Sequence, residues 1–274
     1  MPGTDVLDLD RESTRVLVLL RDVVRARGLL VLLARQDFSA RYRSASLGLA
    51  WSVLLPLLQG AVLALVFTRV VRLGSGTEYA VGVITAQTSW AYFSQTVQTG
   101  ATAVVDGKGI AGKVYFPRLL LPAVPVFANG IGFCISFTVS LVFGAVIGTG
   151  MHLTVLAAPA VLVLAGALAL GFAAPAAMLH VYSRDVRYTV SALVMIAFYA
   201  TPVIYPLAFV QDLRWLILAN PVTGIVQLAR WVVLGDVDGG LGIPLAITGG
   251  WIAVLGLLSV VVYARYERIA CDRL

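Results

Sequence analysis

Charge is scarce in this sequence. Only 12% of its 274 residues are charged, about half the share of a soluble domain. Hydrophobic residues make up 59%, and the mean hydropathy is +0.92. That balance excludes a soluble enzyme and a nucleic-acid binder, and points to a protein embedded in lipid. Lysine is almost missing: Lys108 and Lys113 stand against 18 arginines. With abundant Ala and Gly, this bias fits the coding of a GC-rich bacterium. Cysteine is equally sparse. Cys134 falls in an apolar stretch and Cys271 in the tail, so no disulfide framework is implied, and Cys134 reads as a small buried apolar residue. No H-E-x-x-H, G-x-S-x-G or Cys/His cluster occurs, which leaves no visible catalytic or metal chemistry. The opening residues are not expected to act as a secretory signal. The N-terminus opens with Asp5, Asp8, Asp10 and Glu12, and the first long apolar run begins near Leu47.

Long apolar runs are what the sequence does have. About 20 apolar residues cross a bilayer core as a helix. Six spans are expected, at about 47–71, 79–104, 119–148, 154–180, 188–205 and 241–263. None carries Asp, Glu, Lys or Arg near its centre, which argues against an ion-coupled transporter or proton pump. Transport by this chain would need energy from elsewhere. With the N-terminus inside, residues 1–46, 105–118, 181–187 and 264–274 face the cytoplasm and hold 16 of the 20 basic residues. The excess of Lys and Arg on cytoplasmic loops therefore places both termini inside. The expected location is the bacterial cytoplasmic membrane.

Residues 107–113 match G-x-x-x-x-G-K, most of a nucleotide-binding P-loop. The Ser or Thr that holds magnesium is replaced by Val114, and Pro117 stands where the following helix should run. This is read instead as a basic, aromatic cytoplasmic loop.

The second span is unusually polar. It carries Thr85, Gln87, Thr88, Ser89, Ser94, Gln95, Thr96, Gln98 and Thr99. Such residues either bond between helices or line a polar path. Trp90, Tyr92 and Phe93 interleave with them. Aromatic faces beside hydroxyls and amides suit sugar rings, and they also suit an interfacial aromatic belt. Residues 206–240 lie outside yet are apolar, in pieces too short to span and split at Asn220–Pro221. Two short helices dipping into the outer leaflet are expected. At the other end, residues 14–44 are rich in Arg and apolar side chains, which suits a helix at the inner interface.

Four stretches together resemble the membrane (permease) subunit of ABC exporters of the polysaccharide type, which move lipid-linked O-antigen, teichoic acid or mycobacterial galactan. They are RQDFSARYRSASLGLAWSVLLPLL (35–58), KVYFPRLLLP (113–122), SRDVRY (183–188), and TPVIYP (201–206) with NPVTGIVQLARWVVLG (220–235). The first departs from the family's Arg-Asp opening by placing Gln36 ahead of Asp37. The resemblance runs from about residue 27 to nearly the end.

The resemblance implies an all-α integral membrane protein with six transmembrane helices, an N-terminal amphipathic interface helix, and re-entrant outer helices between the fifth and sixth spans. It divides the chain into an acidic tail (1–13), a gate-helix region (14–46) and a transmembrane domain (47–274). The loop 105–118 would dock on a separate ATPase subunit, with Lys113, Tyr115, Phe116, Pro117 and Arg118 joined by Arg184 and Asp185 of the next inner loop. ATP and magnesium would bind that partner, leaving this chain without a cofactor and without enzymatic activity. Arg35, Arg41, Tyr42 and Arg43 would receive the pyrophosphate of a polyprenyl-linked glycan, since the Arg fork suits phosphate. Ordinary positive-inside anchoring explains the same arginines. Trp90, Tyr92, Phe93, Gln95 and Tyr199 would line the channel, and Trp215, Asn220, Pro221 and Trp231 would close its outer side. The implied assembly is a homodimer carrying two ATPase chains. The alternative is an exporter of drugs or small amphipathic lipids; a membrane scaffold without transport is a third class.

Overall fold

The structure, a computed structural model, describes residues 21–42, 50–71, 77–107, 116–147, 152–210, 212–237 and 239–271. Among these residues there are helices and turns and no strand. A short helical turn precedes α1 (Arg27–Tyr42). The long helices follow as α2 (Ala50–Val66), extended by a wider turn over Phe67–Val71, α3 (Thr77–Asp106), α4 (Leu120–Ile147) and α5 (Ala158–Tyr182). Then come α6 (Val186–Ala200), α7 (Arg214–Ala219), α8 (Pro221–Leu234) and α9 (Gly242–Cys271).

Among the described residues, four helical segments are long and apolar enough to cross a membrane: Ala50–Arg69, Leu120–Ile147, Leu153–Tyr182 and Gly242–Tyr266. They correspond to the first, third, fourth and sixth expected spans. The other two expected spans differ for opposite reasons. Helix α3 has ample length at 30 residues but too polar a composition. Helix α6 is apolar but has only 15 residues, a rise of about 22 Å.

The most polar of the long helices is the centre of the bundle. α3 packs against α2, α4, α5, α6 and α8, and its residues from Val81 to Trp90 are all buried. Its close contacts need small residues. A Cβ on Gly100 would lie 2.7 Å from the Ala173 Cβ of α5, and one on Gly60 of α2 would lie 2.9 Å from the Ile84 Cα. Small residues of this kind let helix backbones approach where side chains cannot.

Contacts along α3 fix the directions of its neighbours. Gln59 and Gly60 meet Gln87 and Ile84, so α2 runs against α3. Asn129 meets Thr96, and Leu121 meets Gly107, so α4 also runs against it. Trp90 meets Phe198, Gln98 meets Ser191 and Asp106 meets Arg187, which makes α6 antiparallel too. α5 runs with α3, from Gly166 beside Tyr92 to Ala173 beside Gly100. α9 runs with α5, since Leu255 meets Gly171 and Tyr263 shares a cluster with Met178. Two ends can then be named. The basal end holds Phe116 and the α5–α6 turn, and the distal end holds Asn220.

Helix α1 lies against α4 at the basal end. Leu33 and Ala34, with Leu29 and Leu30 beside them, pack on Val124. This i, i+3, i+4 stripe is what an amphipathic helix buries. Of the expected distal pair, α7 is mostly exposed, while α8 is buried along most of its length against α3, α5 and α9.

Cys134 corrects the sequence expectation. It is free and exposed on the outward face of α4 rather than buried, beside outward-facing Ile131 and Ile135.

A polar groove as the candidate functional site

Polar groups on a bundle's central helix need partners, because a buried unpaired donor or acceptor is costly. Many on α3 bond back to their own helix. Thr88 donates to the Ile84 carbonyl at 2.9 Å, Ser89 to Thr85 at 3.0 Å and Thr99 to Gln95 at 2.7 Å. Others tie helices together. Gln87 Nε2 donates to Gln59 Oε1 at 2.9 Å, and Asn129 Nδ2 to Thr96 Oγ1 at 3.2 Å. So interhelical bonding accounts for part of the polar set.

The remainder lies on one open face. Ala91, Ser94, Gln95, Gln98, Thr102 and Asp106 are partly or fully exposed, and their spacing puts them on one side of the helix. From Gln87 to Asp106 this face is about 28 Å long at 1.5 Å per residue, close to the thickness of a bilayer's hydrocarbon core. Three cavities follow it. One of about 350 Å³ lies between α2, α3 and α4 and includes Gln59, Gln87, Trp90, Gln95, Gln98, Asn129 and Ser136. One of about 650 Å³ lies between α2, α3 and α6 and shares Gln59, Gln87, Trp90, Ser94 and Gln98 with the first. The third, about 520 Å³, lies at the basal end under α1, reaches Thr99, and includes Gln36, Asp37, Thr102 and Asp106. Together they form a groove of amides and hydroxyls. Within it, Gln87 Oε1 is buried without a hydrogen-bond partner.

The aromatic residues divide between core and groove. Tyr92 is buried but borders the first cavity; its hydroxyl donates to the Val126 carbonyl at 3.0 Å, and its ring lies 4.9 Å from that of Phe133. Phe93 is buried against Phe172 at 6.1 Å. Trp90 is nearly buried between Phe93 and Phe198 yet borders both upper cavities. Gln95 and Tyr199 are exposed at the groove and its α6 rim, Tyr199 at 67%.

At the basal end, Phe116 and Pro117 are buried. Phe116 belongs to a cluster with Val104, Leu120, Ala174, Met178 and Tyr263, so its ring joins the ends of α3, α4, α5 and α9. Arg118 is half-buried, and Arg184 and Asp185 are exposed in the α5–α6 turn. Arg187 of α6 reaches Asp106 of α3 at 3.6 Å, which joins the two basal loops. The P-loop match starts at Gly107, directly after helix α3, whereas a P-loop follows a strand. Lys113 and Tyr115 lie outside the described residues. In the gate region Arg35 is exposed on α1, Arg41 and Tyr42 are its last helical residues, and Arg43 lies outside the described residues.

At the distal end, Asn220 caps α8. Its Oδ1 accepts from the Val222 N–H at 3.0 Å, while its Nδ2 donates to the Ala200 carbonyl at 3.1 Å and the Thr201 hydroxyl at 2.8 Å. Pro221 occupies the first turn, where its missing N–H costs nothing. Trp215 is 71% exposed, and Trp231 packs half-buried on the main core. Arg230, one of the four basic residues that the charge count leaves outside or at the outer boundary, is 8% exposed. Its guanidinium donates to the carbonyls of Val203 at 2.8 Å, and of Tyr205 and Gly82 at 3.5 Å. The available signal was a lone Arg inside the apolar run IVQLARWVVL.

Among the described residues, membrane-length helices packed around a polar groove form the architecture of a membrane transport subunit. Residues 28–234 match the ABC-2 type transporter membrane family, and the chain belongs to that family. It is 34% identical over 211 residues to the O-antigen export system permease protein RfbA of Myxococcus xanthus, covering 76% of this chain and 81% of the relative. Two permeases of the same name from Klebsiella pneumoniae are 28% identical over 200 residues and 27% over 232. They cover 72% and 84% of this chain, and 77% and 89% of their own lengths.

Proposed function

We propose that this chain is the membrane subunit of an ATP-driven exporter that moves a polyprenyl-pyrophosphate-linked polysaccharide across the bacterial cytoplasmic membrane. The observation that carries this reading is the open polar face of α3, in a chain related to O-antigen export permeases. A sugar chain needs a continuous supply of amide and hydroxyl partners, and the groove offers them over the depth of a bilayer. The exposed side-chain amides of Gln95 and Gln98 are acceptors and donors open to hydroxyls. Tyr199 and the edge of Trp90 present aromatic surface to sugar C–H faces.

A groove open on one side holds a polymer only when something closes it. A second copy, related by a two-fold axis, closes it with the same surface. Two ATPase subunits dock on the basal end through Phe116, Pro117, Arg118, Arg184 and Asp185, together with Lys113 and Tyr115 of the same sequence segment. ATP and magnesium belong to those subunits, and this chain hydrolyses nothing. The basal end is cytoplasmic, supported by the 16 of 20 basic residues that this orientation places inside. All six expected spans cross. The alternating directions of α2, α3, α4, α5, α6 and α9 support this, and the polar α3 crosses because its neighbours shield it from lipid. Helices α7 and α8 form the outer re-entrant element, with Trp215, Asn220, Pro221 and Trp231. The packing of α8 among three long helices supports that depth. Helix α1 lies at the inner leaflet, where Arg35, Arg41 and Arg43, beside Tyr42, receive the pyrophosphate.

Blocking the groove tests the reading. Gln98→Trp should leave the inserted complex and its ATPase partner intact and lower export at least tenfold, the scale of a mispositioned reactant or substrate group. Ile135→Trp, on the exposed side of α4, should export normally. Normal export from Gln98→Trp removes the groove from the path. One observation favours a second cargo class. An almost wholly apolar cleft of about 1080 Å³ lies between α5, α6, α7 and α9, which suits small amphipathic molecules. Export of a lipid dye at rates unaffected by Gln98→Trp would support that alternative.

A further inference from the structure

Helix α6 forms one wall of the groove, and its two ends are held very differently. None of its own residues is buried, and cavities flank it on both sides. A helix C-terminus leaves carbonyls without helical partners. At the distal end of α6 the last carbonyls of the helix, and those of the turn that follows it, are taken up by side chains. The Tyr199 carbonyl accepts from the Tyr205 hydroxyl at 3.1 Å, and Ala200 from Asn220 at 3.1 Å. Val203 and Tyr205 accept from Arg230 at 2.8 and 3.5 Å, and Ile204 accepts from the Tyr79 hydroxyl at 2.7 Å. Two of these donors come from the rigid elements α3 and α8. The basal end of α6 has weaker ties: the exposed Arg187–Asp106 pair at 3.6 Å and Ser191 to Gln98 at 3.5 Å. Exposed ion pairs contribute little.

We propose that Arg230 is a positioning residue that pins the turn following α6, so that α6 swings about this end and opens the groove from the basal end. The chemistry requires Arg. The Nε, Nη1 and Nη2 groups each serve a carbonyl on a different stretch of backbone, Gly82, Tyr205 and Val203. A planar fork reaches three separated acceptors at once, whereas an ammonium is a single point. A buried charge bonded to carbonyls also holds its place firmly, because leaving them would strand it.

The test uses the complete complex in membranes, with Cys134→Ser and Cys271→Ser as background. Thiol reporters are placed at two buried positions, Val203→Cys in the distal turn and Ala177→Cys near the basal cluster. Arg230→Lys should raise maleimide labelling at position 203 about tenfold, the scale of one lost hydrogen bond to a charged group, and leave position 177 protected. Export should fall while the ATPase subunits stay bound. Cross-linking the basal seam through Asp106→Cys and Arg187→Cys should stop export until reductant is added. Cross-linking the distal turn through Tyr79→Cys and Ile204→Cys should not stop it. Protection at position 203, equal labelling at both positions, or export that survives the basal cross-link would overturn the proposal. The export readouts rest on the function proposed above; the labelling readout does not, so a failed cargo assignment and a failed pin give different results.

Discussion

Asn220 shows how much one side chain can do at a helix junction. It caps α8 through its carbonyl and holds the end of α6 through its amide. Asn220→Ala removes both roles and should lower the unfolding free energy of the detergent-solubilised protein by about 2 kcal/mol. Asn220→Ser keeps a capping oxygen and should recover about half of that. Equal stability of the two variants would show that the cap contributes nothing. Tyr92 makes a contrasting case. Its hydroxyl meets a carbonyl inside the core, so Tyr92→Phe should cost about 1 kcal/mol and leave export unchanged. A selective loss of export would place Tyr92 in the path. At this scale the sequence was only partly legible. The turn at Asn220–Pro221 was visible because Asn and Pro have local conformational preferences. The burial of Arg230 was not, because its partners are backbone carbonyls on α3 and on the turn after α6, remote in sequence. The outward position of Cys134 was equally hidden, since an apolar neighbourhood looks the same facing lipid or core.

Among the elements, α3 decides the architecture. Its contact with α5 depends on Gly100, where a Cβ would sit 2.7 Å from that of Ala173. Gly100→Ala should destabilise the bundle by about 1–3 kcal/mol through overpacking. Adding Ala173→Gly should recover part of this, read by thermal unfolding of the double variant. An unperturbed single variant would mean that the helices separate freely. The proposed docking loop is tied to the bundle through the basal cluster. Phe116 is 4% exposed, so the proposed coupling would run through its packing on the ends of four helices. Phe116→Leu keeps most of that volume and should preserve coupling. Arg118→Ala should raise ATP hydrolysed per polymer exported, measured in proteoliposomes. An unchanged ratio would remove Arg118 from coupling. The apolar spans were legible because length and hydropathy decide them locally. The two exceptions follow from packing. α3 is sheltered by neighbours and tolerates polar groups, while α6 stops at Ala200, where a turn rich in side-chain hydrogen bonds takes over.

For the whole molecule, family membership and the groove converge on transport, and the proposed orientation rests on charge asymmetry. A groove exposed along one side, with unburied apolar residues on α2 and α6 beside it, is the surface that the proposed second copy would close. The sequence carried the family signature in four separated stretches. It could not show that part of the polar set on α3 bonds between helices while the rest opens onto a groove, since that division depends on which neighbour covers which face. The most direct measurement depletes the protein in its host and fractionates lipid-linked glycan between the inside of the cytoplasmic membrane and the cell surface. Export of a lipid-linked polysaccharide predicts long lipid-linked polymer building up inside while the surface loses it, with sugar analysis identifying the cargo. Normal surface glycan with no internal accumulation would contradict the account.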